Sequence, residues 1–599
     1  MQIQEVYNHY NNIVEKNSAL VKQQSKRIYS LGTARLILVL AAIATIVFWP
    51  ESGWLAITVI IAAYLIPFII LMIWDSKLSA KRAYANALIK LCKDELAALN
   101  YDFSAFDGAP SKISVEHSFS LDLDLFGEQS LFQSLNRTVT HQGTQRLADW
   151  MLNPLSDKKH IADRQNTIQE LATLTTLRQH FYITGKTKKT KQSDIPELER
   201  LVGSEVKLTG RIFWKLAVWT IPLLWLAFLA LYIFTTTPAI MGLLFFLFCM
   251  FFANCKAKYV NRLHAETDKM DKLLAVYSQL IEIIEKNSFK SPVLVNLKKQ
   301  LERTGTKPSD AIKKLSQQIS ALDQRGNMFI ATLNLFVMRD IRIVLNIEQW
   351  KKTYKQEIEK WIDALANFDA LLSLGGFAFN HPTYVYPEIA DSYFIMKGTA
   401  LGHPLLHRDV CVCNDISIAD ASQFMIITGA NMAGKSTYLR TVGVSYLLAC
   451  IGAPVFAKEL TVYPASLVTS LRTSDSLAAN ESYFYAELKR LKWIIDRLKS
   501  GEKLFIILDE ILKGTNSVDK QKGSLALIRQ LISYRTCGIV ATHDLVLATL
   551  HDEYPEQINN YRFEADIDGD KLSFSYQLQE GVAQNLNAYF LMKSMGITV

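Results

Sequence analysis

The sequence predicts a multidomain chain: helical membrane hairpins and an all-α core and lever region, followed by an α/β P-loop nucleotide-binding domain. Three observations predict it. Two stretches are long and free of charge, the segments between and after them place apolar residues at helical spacing, and the last third turns to short apolar runs broken by Gly-rich loops. At 599 residues the chain is long enough for several domains. Lys and Arg number 65 against 57 Asp and Glu, and this net +8 is too mild to demand a polyanionic partner. Half the residues are hydrophobic and 20% are charged, which excludes wholesale disorder. The seven cysteines are too scattered for a disulfide framework. Cys411 and Cys413 form the one close pair; without a second pair they read as residues in or near a strand rather than a zinc site.

Ser52 to Trp74 is 23 residues without a charge, and as a helix it would extend roughly 35 Å, enough to cross a bilayer core. Before it, Ile28 to Trp49 holds a single charge, Arg35, near an end where it can snorkel. Pro50-Glu51-Ser52-Gly53 makes the turn. Leu216 to Cys255 is 40 uncharged residues, split by Thr235-Thr236-Thr237-Pro238 into two near-spanning halves, with Trp214, Trp219 and Tyr232 near the ends as in an aromatic belt. Lys22, Lys26, Arg27 and Arg35 precede the first span, and Lys77, Lys81 and Arg82 follow the second. Arg211, Lys215, Lys256 and Lys258 flank the second hairpin, while neither tight turn carries Lys or Arg. By the positive-inside rule both hairpins dip from the cytoplasm and return. This predicts a multi-pass protein of the inner or plasma membrane, with the lipid bilayer as a partner and the C-terminal domain cytoplasmic.

The expected division is a cytoplasmic helix over residues 1–27, the first hairpin over 28–75, a first core segment over 76–205, the second hairpin over 206–256, a helical core and lever over 257–375, and the nucleotide-binding domain over 376–599. Within the core segment, Lys186-Thr-Lys-Lys-Thr-Lys191 is either a solvated loop or a phosphate-contacting patch.

The chemistry sits in the last third. Phe424 to Thr428 reads as a strand, Tyr438 to Ala449 as a helix, and between them Gly429-Ala430-Asn431-Met432-Ala433-Gly434-Lys435-Ser436-Thr437 spells G-x-x-x-x-G-K-[ST] in its required setting. Backbone amides of such a loop wrap phosphate oxygens, and the helix N-terminus adds its dipole. Lys435 is the residue to neutralise β/γ charge, and Ser436 the one to hold Mg²⁺. A second strand, Leu504 to Leu508, ends in Asp509-Glu510, 74 positions after Lys435. Asp509 is placed to serve the metal and Glu510 to polarise an attacking water. A third strand, Thr536 to Ala541, ends in Thr542-His543, where His543 can donate to a γ-phosphate. The predicted ligands are ATP and Mg²⁺.

The region resembles the MutS mismatch-repair family, a branch of the ABC-type ATPases. Thr428 to Arg440 is similar to that family's P-loop, Asp509 to Ser517 to its Walker B and following turn, and Ala541-Thr542-His543 to its switch. Ser474-Asp475-Ser476-Leu477 with Ser482-Tyr-Phe-Tyr-Ala-Glu487 resembles its signature segment; the resemblance implies that Ser482 reaches the γ-phosphate held by a partner chain, and so a homodimer through the ATPase domains. His403-Pro404-Leu405 and Asn414-Asp415 resemble the start of the ATPase domain, Ser130 to Arg164-Gln165 the start of the core domain, and Asp369 to Leu374 the lever. The resemblance implies an ATP hydrolase that cycles on DNA, over residues 116–205 and 257–599.

The departures are specific. A membrane hairpin stands where the family has its mismatch-reading domain, and Phe126-Gly127-Glu128 spells that domain's Phe-x-Glu only by chance. The second hairpin interrupts the core, and residues 257–369 are few for levers plus a full DNA clamp. Ala430 and Ala433 replace a Pro and a Gly, Asn480-Glu481 a Gly-Arg, and Lys513 an Arg; the C-terminal dimer helices are not expected. An alternative follows: an ABC-type ATPase acting on a protein or membrane partner without DNA. A transporter fits less well, because the spans carry no intramembrane charge to line a path.

Overall fold

The structure is a computed structural model. It describes residues 2–48, 54–114, 116–187, 194–235, 238–267, 270–302, 305–430, 432–471, 483–568 and 571–584. Asn431, Ser482, the segment 474–481 and most of the basic run after Lys186 therefore lie outside the described residues. The chain forms two compact units. One comprises Met1–Asn136, Met151–Gln165 and Gly376–Val599; the other comprises Arg137–Trp150 and Asn166–Gly375.

The first unit begins with two helices of 46 residues, α1 (Ile3–Phe48) and α2 (Trp54–Leu99). Each is roughly 70 Å long at 1.5 Å per residue. α1 runs through residue 27 without a break, so the polar segment and the apolar segment that follows it share one helix. Good helix formers such as Glu, Lys, Gln and Ala fill the polar half of α1, and the helix runs on unbroken into its apolar half. The two helices pair antiparallel. Tyr7 donates to Asn100 Oδ1 at 2.8 Å, Arg35 pairs with Asp75 at 3.3 Å, and the Thr45 and Tyr64 hydroxyls meet at 3.0 Å. The root is fixed by a buried chain: Tyr10 donates to Asn380 Oδ1, and Asn380 donates to Glu95 Oε2, both at 2.8 Å. The far halves have no such company. Leu36, Leu40, Ile43, Ile66 and Ile69 are exposed, and none of the most apolar 18-residue window of either helix is buried.

The second unit is helical. Met270–Lys286, Pro308–Asp323 and later helices build its core around Leu274, Ile281, Ile312, Ile319, Val344 and Trp361. Its apolar helices are α3 (Ile212–Phe234), α4 (Ala239–Asn254) and α5 (Met328–Val337). Sequence reading passed over α5, whose ten residues fall short of a span, yet none of them is buried, and Phe336 packs on Trp225 of α3 at 4.4 Å between ring centroids. Next come α6 (Arg339–Tyr354) and α7 (Ile358–Asn380). α7 is as long as a membrane span, but 72% of its apolar window is buried inside the protein, whereas 17% of that of α3 is. Both helices are long and apolar enough to cross a membrane, and burial is what separates them.

Two buried carboxylates tie this unit together. Glu348 of α6 accepts from the amides of Lys207, Leu208 and Thr209 at 2.8, 2.9 and 2.6 Å and from the Tyr259 hydroxyl at 2.7 Å. It thereby holds the segment that leads into α3. Burial raises its pKa, but these donors outweigh burial and leave it below the ordinary value. Asp369 of α7 accepts from the Val139 and Thr140 amides at 3.1 and 2.8 Å and from the Thr140 hydroxyl at 2.6 Å. Burial pushes its pKa up to about 6, and the same donors pull against that. A Cβ on Gly143 would lie 2.2 Å from Asp369 Oδ2, so the carboxylate also requires glycine there.

The remainder of the first unit is α/β. Its strands are β1 (Glu388–Ile389), β2 (Met396–Leu401), β3 (Asn414–Ile418), β4 (Phe424–Gly429), β5 (Glu459–Val462), β6 (Ser466–Ser470), β7 (Leu504–Asp509), β8 (Cys537–Thr542), β9 (Ile558–Phe563), β10 (Ala565–Asp568), β11 (Lys571–Phe574) and β12 (Gln579–Glu580). The main sheet has order β12-β9-β4-β8-β7-β6, parallel except for β12, and a smaller sheet has order β1-β5-β2-β3. Cys411 and Cys413 immediately precede β3. Phe126 is buried against Phe132, a packing residue, as its position predicted.

Asp369→Ala strands two buried amides and a hydroxyl, so it should cost about 3 kcal/mol or more. The expected outcome is a melting temperature several degrees lower for the purified full chain. Gly143→Ala should show the same sign, and an unchanged melt for both would remove Asp369 from this role.

Candidate functional site

Sheet register builds the site. Thr428 of β4 lies beside Thr542 of β8, and Ala541 lies beside Asp509 of β7. Three parallel strands therefore end level, and the loop after β4, Asp509-Glu510 and His543 emerge at one sheet edge. This is where open α/β sheets bind ligands. The loop runs from Gly429 into helix α8 (Lys435–Cys450), whose N-cap is Gly434. Gly429 has φ +150°, and a Cβ there would sit 2.4 Å from the Phe563 carbonyl oxygen; Gly434 has φ +109°. Both positions need glycine for backbone reasons.

Lys435 is buried. Its Nζ donates to the Gly429 and Ala430 carbonyls at 2.7 and 2.8 Å and lies 3.4 Å from the His543 ring. Burial lowers its pKa to about 8, and Asp509 and Glu510 oppose that shift. Ser436 Oγ donates to Asp509 Oδ2 at 2.7 Å, so the two residues predicted to hold a metal are in contact. A hydroxyl and a carboxylate suit a hard cation such as Mg²⁺, which takes few protein ligands and completes its shell with water and phosphate. Glu510 Oε1 meets His543 Nε2 at 2.8 Å. The His543 hydrogen bond holds the Glu510 pKa down at about 2 against burial, so Glu510 is a carboxylate throughout the physiological range.

These groups line a cavity of about 760 Å³, within the range of small-molecule sites. Lys435, Ser436, Thr437, Asp509, Glu510 and His543 supply its polar lining. Leu406, Val410, Val412 and Tyr576 form an apolar wall that sequence reading did not find. Asn414 places part of that wall: it donates to the Tyr576 carbonyl at 3.0 Å and accepts from the Leu578 amide at 2.7 Å. Ala433 is buried behind the loop.

A second missed residue is Glu487 of helix α9 (Tyr483–Lys499). It accepts from the Leu512 and Lys513 amides at 2.5 and 3.1 Å. Glu510 and Leu512 both have left-handed φ, +55° and +59°. Such backbone strain must be held from outside. In the sequence Glu487 stands in the segment that resembles the family's signature, but nothing local marks it as the acceptor that holds this turn. Ser482, one residue before α9, and Asn431 lie outside the described residues, so the structure places all predicted site residues at one edge except these two.

The class this fold and edge define is an α/β domain with a glycine loop feeding a helix, joined to a helical core. Comparison with known proteins refines it. Residues 117–375 match MutS domain III, and residues 425–597 match MutS domain V. The chain is 27% identical over 524 residues to the DNA mismatch repair protein MutS of Thermotoga neapolitana, covering 79% of this chain and 61% of that protein. It is 27% identical over 515 residues to the same-named protein of Thermotoga maritima, covering 78% and 61%. It is 30% identical over 238 residues to MutS protein homolog 4 of Homo sapiens, covering 38% and 25%. These matches support the MutS family for this chain, which matches that family's domains III and V and spans about three-fifths of the length of the bacterial relatives. The apolar helices α3 to α5 lie within the domain III match.

Lys435 gives a pH test. With a pKa near 8 it is part-neutral at pH 8, and a polyphosphate in the loop would restore its full charge. On binding triphosphate Lys435 should then take up about half a proton at pH 8 and none at pH 6, where any remaining proton change is the nucleotide's own. Calorimetry in two buffers of different ionisation enthalpy reads this directly; Lys435→Met should abolish it.

Proposed function

We propose that the protein is a membrane-anchored MutS-like ATPase that binds and hydrolyses ATP to drive a conformational cycle on DNA. The observation that carries the ATP reading is the convergence of Lys435, Ser436, Asp509, Glu510 and His543 around one cavity, with Ser436 and Asp509 in contact. In this reading the amides of residues 429–437 and the Lys435 ammonium bind the phosphates, and the apolar wall at Val410 and Tyr576 takes the base. Ser436 and Asp509 would hold Mg²⁺, which when bound offsets phosphate charge. Glu510 orients the attacking water and accepts its proton. His543, now paired with Glu510, must give up that contact to donate to the γ-phosphate. The partner subunit's Ser482 completes the site in a homodimer.

The DNA reading is supported by the names of the bacterial relatives, DNA mismatch repair proteins. The alternative, a protein or membrane partner without DNA, is favoured by a different observation. In the second unit the exposed surface of α3, α4 and α5 is apolar, including Trp219, Leu223, Phe251, Met328 and Phe329. DNA binding needs basic surface instead. The bilayer reading rests on that surface and on the bare far halves of α1 and α2.

Glu510→Gln should keep nucleotide binding and slow turnover by a factor on the order of 10²–10⁴. Lys435→Ala should weaken binding itself. Turnover measured with linear, mismatched and branched DNA across a salt series decides the partner: stimulation that fades with salt supports DNA, and a flat response to all three supports the alternative. A Glu510→Gln chain that hydrolyses ATP at the parent rate would unseat the site assignment.

Topology is tested separately. A cysteine at Ser52 or Thr236 should react with an impermeant reagent applied outside intact cells, and one at Lys520 should not. Labelling at Lys520 would overturn the cytoplasmic placement.

A further inference from the structure

Where α1 and α2 pass from polar to apolar sequence, their pairing opens a groove of about 610 Å³. Lys26, Arg27, Ser30 and Leu31 line it from α1, and Trp74, Lys77, Leu78 and Lys81 from α2. Four cations thus converge from two helices, and no carboxylate lines the groove. The neighbouring Asp75 is engaged by Arg35. No ion pair involves Lys26, Arg27, Lys77 or Lys81 among the described residues. Each cation alone is an ordinary flanking charge; the antiparallel register is what gathers them on one face. Tyr29 and Trp74 are 80% and 57% exposed at this level, as aromatic residues at a headgroup boundary are.

We infer that this groove is a binding site for the phosphate headgroup of an anionic phospholipid. The inference rests on the bilayer reading above and goes further, because it names a lipid class and a place. The ligand must carry negative charge to match four uncompensated cations. It must also carry acyl chains, because the groove opens directly beneath the exposed apolar faces of α1 and α2, and Trp74 stands between the two zones. Lys77 and Lys81, one helical turn apart on α2, face Lys26 and Arg27 across the groove, so a phosphodiester between them meets donors on both sides. Ser30 offers a hydroxyl to the same group.

The test uses the full chain in nanodiscs of phosphatidylcholine alone or with phosphatidylglycerol. Native mass spectrometry should find phosphatidylglycerol retained through detergent exchange, and the melting temperature should be higher in the anionic discs. Lys26→Gln/Lys77→Gln/Lys81→Gln should retain it at least tenfold less, each cation near an anionic surface being worth about fivefold. The charge-keeping Lys26→Arg/Lys77→Arg/Lys81→Arg chain should retain it like the parent, which separates lost charge from lost folding. Lys22, Arg27, Arg35 and Arg82 remain in both variants to preserve the flanking charge. Equal retention by the glutamine variant, or a parent chain indifferent to phosphatidylglycerol, overturns the site. So does equal protection by inorganic phosphate, which would make the ligand a free anion. A chain that carbonate strips from membranes instead overturns the bilayer reading itself, a distinct outcome.

Discussion

Buried carboxylates that accept backbone amides hold this protein's irregular segments in place. Asp369 takes the start of the helix after Thr140, Glu348 takes the segment that enters α3, and Glu487 takes the strained turn after Glu510. Asp122 does the same between the first core segment and β6, accepting from the Thr469 hydroxyl and from the Leu471 amide at 3.1 Å. A loop amide that leaves helix or sheet must find an acceptor or remain unsatisfied in the interior. A carboxylate offers several lone pairs to adjacent amides, so one side chain can fix two or three consecutive residues. It also couples positions far apart in sequence, 229 residues for Asp369 and Thr140. Removing such a group leaves every donor orphaned at once, which is why these positions matter beyond their number.

The elements legible in the sequence were those set by local rules. The strand before Gly429, the glycine loop and the two later strands that lead to Asp509 and His543 followed from apolar runs and spacing and appear within a residue; the helix read from Tyr438 begins three residues earlier, at Lys435. The coming together of those strand ends was a motif-order argument, and parallel register makes it geometric. What sequence could not show depends on tertiary company. The polar and apolar halves of α1 differ in composition but not in conformation, and one continuous helix carries both. α7 and α3 are equal in length, and the charges of α7, Glu359, Lys360, Asp363 and Asp369, mark it as the less apolar; packing completes the distinction, with 72% of the apolar window buried in α7 against 17% in α3. α5 is too short to attract notice by hydropathy, though Arg325 and Arg339 bracket it. The apolar wall of the cavity comes from a loop at 406–412 and from Tyr576, which no local pattern links.

Strain and charge meet at the candidate site. Glu510 sits in a left-handed backbone conformation with its carboxylate against His543, while Lys435 turns to its own loop carbonyls. Each of these groups is satisfied by a protein partner of modest strength. A buried ammonium bonded to two neutral carbonyls gains less than one bonded to anionic oxygens. Polyphosphate in the loop would compete for Lys435 on favourable terms, and the displaced interactions are short-range enough to exchange without unfolding anything. The buried position of Lys435 lowers its pKa for the same reason that it strengthens its attraction to phosphate: few waters screen it.

Contacts within the first unit also link the cavity to the helical hairpin. Leu406 and Val410, which wall the cavity, flank His407 and Arg408. The His407 ring lies 5.0 Å from the Tyr101 ring, and the Arg408 amide donates to the Tyr101 hydroxyl at 3.1 Å. Tyr101 follows the last turn of α2 directly, beside Asn100, which accepts from Tyr7 of α1. The wall of the cavity is therefore two contacts from the root of both long helices. A packed root of this kind, with Tyr10, Asn380 and Glu95 hydrogen-bonded behind it, holds Tyr101 in a fixed relation to both helices. Both contacts of Tyr101 fall on the loop whose Leu406 and Val410 line the cavity, so the packing that orders the root of the hairpin also orders that side of the cavity.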